Sequence, residues 1–68
     1  MSKKITMTFN KEEIESIIKE LNIRISDLNK ERSELLENNE TGVAYFLLNK
    51  IQKMEDIVVR LENYLYKY

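Results

Sequence analysis

The sequence predicts an all-α protein: one long, coiled-coil-like antiparallel helical hairpin behind a short N-terminal β-strand. Two observations lead to this fold class. In each half of the chain, apolar residues recur at alternating spacings of four and three, which is the heptad pattern of packed helices. A cluster of turn-forming residues at 38–42 separates the two halves. The 68 residues allow a single domain, 1–68.

A short strand is predicted for residues 4–9. Three apolar residues alternate there with two threonines, and a period of two is typical of a strand with one buried face. The apolar residues are Ile5, Met7 and Phe9. Because a single strand leaves its backbone groups unpaired, we expect it to pair with the same strand of a second subunit. The result would be a two-stranded intersubunit ribbon across a two-fold axis.

Helix 1 is predicted over residues 11–38. Asn10 suits the N-cap, and Glu13 completes a capping box. Phe9 and Ile14 are placed to form a hydrophobic staple. The apolar seam of this helix consists of Ile14, Ile18, Leu21, Ile25, Leu28, Arg32 and Leu35. Its single polar member is expected to specify register, to reach water or to pair with a nearby Glu.

Helix 2 is predicted over residues 43–67, after a turn at 39–42 in which Asn39 or Thr41 can act as the N-cap. The second seam consists of Ala44, Leu47, Ile51, Met54, Val58, Leu61 and Leu65. If the chain folds back at the turn, all seven pairs of seam residues share one register, because the two residue numbers of each pair add to the same value. Such a match favours an antiparallel hairpin over two independent helices.

The chain carries more apolar side chains than a two-helix seam can bury. An apolar surface wider than the seam needs a cover. Two interpretations are open: a second copy, giving a homodimeric four-helix bundle, or a different protein. The residues expected at the oligomer interface are Ile5, Met7, Phe9, Ile17, Phe46, Ile57 and Tyr64. The candidates for binding a different protein are Tyr45, Tyr66, Glu34 and Glu37.

The composition argues against catalysis and against cofactors. The chain has no His and no Cys, so it lacks the base of nucleophilic triads and the usual ligands of zinc. Its single Gly excludes a Gly-rich phosphate loop. We therefore expect no enzyme, no cofactor and no small-molecule substrate. No apolar run approaches the ~20 residues that span a bilayer, and we expect a cytoplasmic protein with no membrane partner.

The function expected from these observations is binding. A small regulatory protein acting by protein–protein contact fits best, such as an inhibitor or an antirepressor. Enrichment in Ile, Asn, Lys and Glu indicates an AT-rich genome, such as that of a low-GC bacterium, its plasmid or its phage.

Two resemblances imply nucleic acid as the alternative partner. The segments KITMTF at 4–9 and NIRISDL at 22–28 resemble the ribbon strand and the inter-helix turn of the ribbon-helix-helix family of DNA-binding regulators. This resemblance implies that Lys4, Thr6 and Thr8 point into a major groove. In outline, the hairpin dimer also resembles Rop-type hairpin dimers, which bind RNA on a four-helix surface.

Overall fold

The computed structural model describes residues 4–66, which form two helices packed as an antiparallel hairpin. Helix α1 is Lys11–Glu37 and helix α2 is Thr41–Tyr66. The all-α class and the hairpin are thus confirmed. Helix α1 ends one residue earlier than predicted, and α2 begins two residues earlier. Lys67, the predicted last residue of the second helix, lies outside the described residues.

The predicted capping box at the start of α1 is present. The Asn10 side-chain Oδ1 accepts a hydrogen bond from the Glu13 backbone N–H at 2.8 Å. In return, the Asn10 backbone N–H donates to Glu13 Oε1 at 3.1 Å. Together these bonds satisfy two backbone donors that a helix N-terminus otherwise leaves free. They fix the residue at which the extended N-terminal segment becomes helix.

The predicted N-terminal strand is not formed. Within the described chain, residues 4–10 have no regular secondary structure. The physical reason is that a strand needs a second strand for its hydrogen bonds, and the hairpin supplies only helices. The apolar face predicted to be buried is consequently open, with Ile5 83% and Met7 67% exposed. The intersubunit ribbon and the dimeric bundle each require two chains, and the structure of the single chain does not show them.

The turn closes α1 with a Schellman motif. Asn39 has a left-handed backbone conformation, with φ of 61°. Its N–H donates to the Leu36 carbonyl at 3.1 Å, and the Glu40 N–H donates to the Leu35 carbonyl at 2.8 Å. These two bonds around a left-handed residue define the motif and satisfy carbonyls at the helix end. Asn39 therefore ends α1.

Helix α2 begins without either of its predicted N-caps. The Glu40 carbonyl accepts the first helical bond, from the Ala44 N–H at 3.1 Å. Thr41 is already helical, and Asn39 belongs to the preceding motif. Asn is favoured both as an N-cap and in the left-handed position after a helix, which is why its type alone did not distinguish these two roles.

The hairpin core follows the two predicted seams. Every seam position in the described chain is buried or half-buried. Away from the seams, only Ile17 and Leu48 are half-buried, and the other described residues are exposed. The buried residues are Ile14, Leu28, Ala44, Leu47, Ile51 and Val58. The central cluster joins Leu28, Leu47 and Ile51, with Ile25, Leu35 and Met54 packed against it. Two of the predicted pairs, Leu28 with Ile51 and Ile25 with Met54, lie within this one cluster.

Helix α1 runs unbroken through residues 22–28, the segment that resembles the ribbon-helix-helix turn. The seam passes through this segment, with Ile25 half-buried and Leu28 only 2% exposed. A turn there would remove both side chains from the core. The fold implied by that resemblance is therefore not formed, because neither its strand nor its turn is present in residues 4–66.

The left-handed residue at the turn gives a first prediction. Asn39→Ala should lower the free energy of unfolding by about 1 kcal/mol, because a Cβ-bearing residue without a polar side chain is poorly suited to positive φ. Asn39→Gly should be tolerated, since glycine has no Cβ to clash. The measurement is urea denaturation at fixed protein concentration.

Asn38→Ala is the matched control, because Asn38 has φ of −90° and needs no left-handed conformation. Equal losses for Asn38→Ala and Asn39→Ala would contradict the assignment of the Schellman motif.

Candidate functional site

The described chain leaves twelve large apolar side chains exposed, twice as many residues as its buried core contains. They are Ile5, Met7, Phe9, Ile23, Leu36, Val43, Tyr45, Phe46, Ile57, Val59, Tyr64 and Tyr66. Single exposed apolar residues are ordinary on protein surfaces, whereas contiguous apolar patches mark interaction sites. Their distribution over the hairpin therefore decides where a partner can bind.

The first concentration is a stripe along one edge of α2. Its members follow one another at spacings of three and four residues, which places them on the same helix face. The stripe consists of Val43, Phe46, Lys50, Lys53, Ile57, Arg60 and Tyr64. It contains four apolar or aromatic residues, three cations and no acidic residue. We refer to it as the apolar–basic stripe.

A contact within the apolar–basic stripe shows how its two kinds of residue combine. The Lys50 Nζ lies 5.3 Å from the centroid of the Phe46 ring, within range of a cation–π interaction. The methylene stem of such a lysine covers apolar surface while its charge stays at the rim. The stripe is thus an apolar surface with positive charges set along it.

The second concentration lies on the other side of the α2 seam. This edge consists of Tyr45, Leu48, Gln52, Glu55, Val59, Glu62 and Tyr66, and we call it the tyrosine edge. Near the turn, Tyr45 and Leu48 line a groove of about 110 Å³ together with Leu36 of α1. At the other end, Tyr66 and Glu62 line a cavity of about 390 Å³ with Glu15 of α1.

The predicted oligomer-interface residues are largely brought together. The end of the hairpin opposite the turn is its open end. Ile5, Met7 and Phe9 line a cavity of about 430 Å³ there, together with Tyr64. Phe46 and Ile57 continue from Tyr64 along the apolar–basic stripe. On α1, Ile17 is half-buried near the same end. These seven residues therefore form one connected side of the molecule, although the strand expected to organise the first three is not formed.

The predicted partner-binding residues are not gathered into one site. Tyr45 and Tyr66 share the tyrosine edge but stand 21 residues apart, about 30 Å along the helix. Glu34 and Glu37 are exposed on α1 near the turn, at the Tyr45 end of the hairpin. Leu36 lines the groove beside Tyr45, and Glu34 is two residues before it, about 200° around the helix. Glu34 therefore lies on the other side of the hairpin from Tyr45, and Tyr66 belongs to the opposite end.

The nucleic-acid candidates Lys4, Thr6 and Thr8 are exposed and lie outside any strand of the described chain. Thr6 and Thr8 line a second cavity at the open end, of about 470 Å³, beside Met7 and Phe9. A ribbon reads a major groove because its regular pleat presents alternate side chains to the bases. Residues 4–10 form no pleated strand, so Lys4, Thr6 and Thr8 are not presented in this way.

Arg32 is the polar residue of the seam, and the sequence could not predict its hydrogen bonding. It occupies a seam position, half-buried, and its Nε is buried without a hydrogen-bond partner among residues 4–66. No ion pair of Arg32 is found in this part of the chain; the ion pair present joins Lys11 and Glu15 at 3.9 Å. Arg32 lines the groove near the turn beside Leu36 and Tyr45. Of the three roles expected for Arg32, pairing with a neighbouring Glu is not formed among residues 4–66.

The described surface holds little else that could support chemistry. Among residues 4–66, no three acidic side chains stand close enough to hold a metal ion. Neither described helix combines the length and the apolarity needed to cross a membrane. Comparison of the chain with protein-family models, with curated proteins and with solved structures gives no match. The surface itself is therefore the basis for any functional inference.

The buried Nε of Arg32 gives a second prediction. Arg32→Leu should raise the free energy of unfolding by about 1–3 kcal/mol, because it removes a buried donor that lacks an acceptor and fills the seam with apolar volume. Thermal or urea denaturation at fixed concentration measures the change.

Lys30→Leu serves as the comparison, since Lys30 is exposed on the outer face of α1 and should respond by less than about 0.5 kcal/mol. A destabilised Arg32→Leu variant would show that Arg32 has an acceptor in the assembled protein.

Proposed function

We propose that the protein is a non-enzymatic binding protein that forms a homodimer and acts by docking on another protein. The observation that carries this proposal is the large exposed apolar surface, concentrated on α2 and at the open end of the hairpin. Its size exceeds what a stable small monomer leaves in water. A partner that covers it supplies stabilisation that the single chain lacks.

The surface area supports a covered state. The accessible surface is 6164 Å², whereas a compact monomer of 8.2 kDa exposes about 4500 Å². The excess is about twice the ~800 Å² that each partner contributes to a standard protein interface. The radius of gyration, 14.9 Å, likewise exceeds the ~11 Å of a compact domain with this number of residues.

The chemistry of the surface favours a protein as its partner. The exposed residues are chiefly aromatic and branched aliphatic, and aromatic residues are enriched in protein interfaces. A nucleic-acid surface needs dense positive charge to displace counterions, but the formal net charge of this chain is −1. Protein–protein contact uses both classes of exposed residue, the apolar ones at the centre and the charged ones at the rim.

The two sides of the hairpin suggest two roles. Self-association uses the open end and the apolar–basic stripe, giving a four-helix bundle in which the two N-terminal segments can pair. The tyrosine edge, with Glu37 near its turn end, then stays available to a different protein. We propose that this small dimer, with its two identical tyrosine edges exposed, acts as a regulator such as an inhibitor or antirepressor.

A substitution on the apolar–basic stripe tests the dimer. Ile57→Lys should weaken self-association at least tenfold, a loss of about 1.4 kcal/mol, because it places a charge in the covered surface. Sedimentation velocity over a concentration series measures the dissociation constant. Circular dichroism checks that the helices persist, since Ile57 is 45% exposed in the single chain.

Val59→Lys is the matched control. Val59 is also β-branched and 54% exposed, but it lies on the tyrosine edge. We expect its dissociation constant to change by less than about threefold. A monomeric wild-type protein, or equal weakening by both substitutions, would count against the proposed dimer surface.

The docking role is tested by affinity capture from the native host with wild-type protein and Tyr45→Ala. We expect a protein partner that the wild type retains and Tyr45→Ala loses by tenfold or more, because tyrosines frequently dominate interface energies. Lys53→Ala, on the apolar–basic stripe and off the tyrosine edge, should still capture it. Retention of nucleic acid alone, abolished by nuclease, would overturn this role.

A further inference from the structure

Charge is distributed unequally over the side of the hairpin that carries the apolar–basic stripe. The tyrosine edge shares its side with Glu15 and Leu36 of α1, as the two cavities along that side show. The stripe therefore shares its side with the opposite edge of α1. That edge consists of Ile17, Glu20, Arg24, Asp27, Glu31 and Glu34. With four acids and one base it is the acidic edge of the molecule, and it lies beside a stripe with three bases and no acid.

Two symmetric dimers can cover this side. If the two-fold axis runs parallel to the helices, α2 of each subunit packs against α1 of the other. If the axis lies across the helices, α2 packs against the partner's α2 and α1 against its α1. In the second arrangement, a stripe with three bases and no acid faces its own copy, and like charges that face each other disfavour association. The first arrangement sets the stripe against the acidic edge.

The register of the hairpin decides whether these charges also meet at the same height. Seam pairing places Leu28 level with Ile51, and Ile14 lines one cavity with Leu65. A rotation about an axis parallel to the helices leaves every height unchanged. Each residue of α2 therefore meets the partner's α1 at the height it has beside its own α1. The pairs level with each other would be Lys50 with Glu31, Lys53 with Asp27, Arg60 with Glu20, Tyr64 with Ile17, Phe46 with Glu34, and Ile57 with Arg24.

We propose that the apolar–basic stripe docks on the acidic edge of a second copy of this chain, around a two-fold axis parallel to the helices. This inference rests on the proposed dimer and specifies its geometry. Each half of the interface then contains three opposite-charge pairs, one apolar pair, and two pairs of an apolar with a charged residue. No pair joins like charges. This arrangement also brings both open ends to the same pole, where the two N-terminal segments with Ile5 and Met7 can cover each other.

Spin labels distinguish the two arrangements. The chain has no native Cys, so single cysteines can be introduced and labelled selectively. Gly42 stands next to the turn, and a Cβ there meets no atom within 4 Å. In the parallel-axis dimer the labels of Gly42→Cys lie at one end, about 30 Å apart or less, given helix spacings of 8–10 Å. In the crossed-axis dimer they lie at opposite ends, near the 44 Å length of the molecule.

Asp56→Cys provides the matched label. Asp56 is exposed near the middle of α2, so its labels stay close together in either dimer. Short distances at both sites are the expected double electron–electron resonance result. A long distance at Gly42→Cys with a short one at Asp56→Cys would overturn the orientation while keeping the dimer. A monomer in sedimentation, with no dipolar coupling at either site, would remove the dimer and this inference together.

The salt dependence of self-association gives a second readout. Opposite charges in contact are screened by salt. The dissociation constant of the unlabelled wild type should therefore rise several-fold between about 0.05 and 0.5 M NaCl. A dissociation constant that falls over this range would indicate like charges in contact and would contradict the parallel axis.

Discussion

The contact between the seams of α1 and α2 is the interaction on which the rest of the molecule depends. It buries six residues and unites Leu28, Leu47 and Ile51 at its centre. One line of contact between two helices can bury only the side chains that face it, so every other face of each helix stays open. The same contact sets the relative height of all residues on the two helices. Stability, surface exposure and the geometry available to a partner are thus consequences of one packing register.

The ends of α1 and the turn protect that register. The capping box of Asn10 and Glu13 fixes where α1 begins, and the left-handed Asn39 fixes where it ends. The chain then re-enters helix at Thr41 with only three residues between the helices. A connection this short leaves little freedom for α2 to slide against α1, because a shift of one turn would need several more residues. The charged edges are therefore held level with each other as firmly as the core residues are.

Much of the fold could be predicted from the sequence because its determinants are periodic or local. The seven-residue repeat identifies the core, and the spacing of Asn10 and Glu13 identifies the capping box. The role of Asn39 could not be predicted, because asparagine suits both an N-cap and a left-handed end, and only the chain geometry selects between them. Residues 4–9 show another limit: alternation indicates which side chains share a face, but a strand also needs a partner that the sequence of one chain does not identify. At the candidate site, Phe46, Ile57 and Tyr64 were predicted as interface residues because they are apolar and lie outside the seam, whereas the unpaired Nε of Arg32 emerged only from the packing.

The location of Arg32 connects the core to the surface. A seam residue normally contributes apolar volume, but this one sets a cation into the groove formed by Leu36, Tyr45 and Leu48. The cost of a buried donor without an acceptor falls heavily on a chain with so small a core. An arrangement in which dimerisation covers the apolar–basic stripe leaves this groove open on the opposite side. In that arrangement the two kinds of surface would have separate roles: one would supply the burial that the hairpin lacks, and the other would present the groove lined by Arg32 to a second protein.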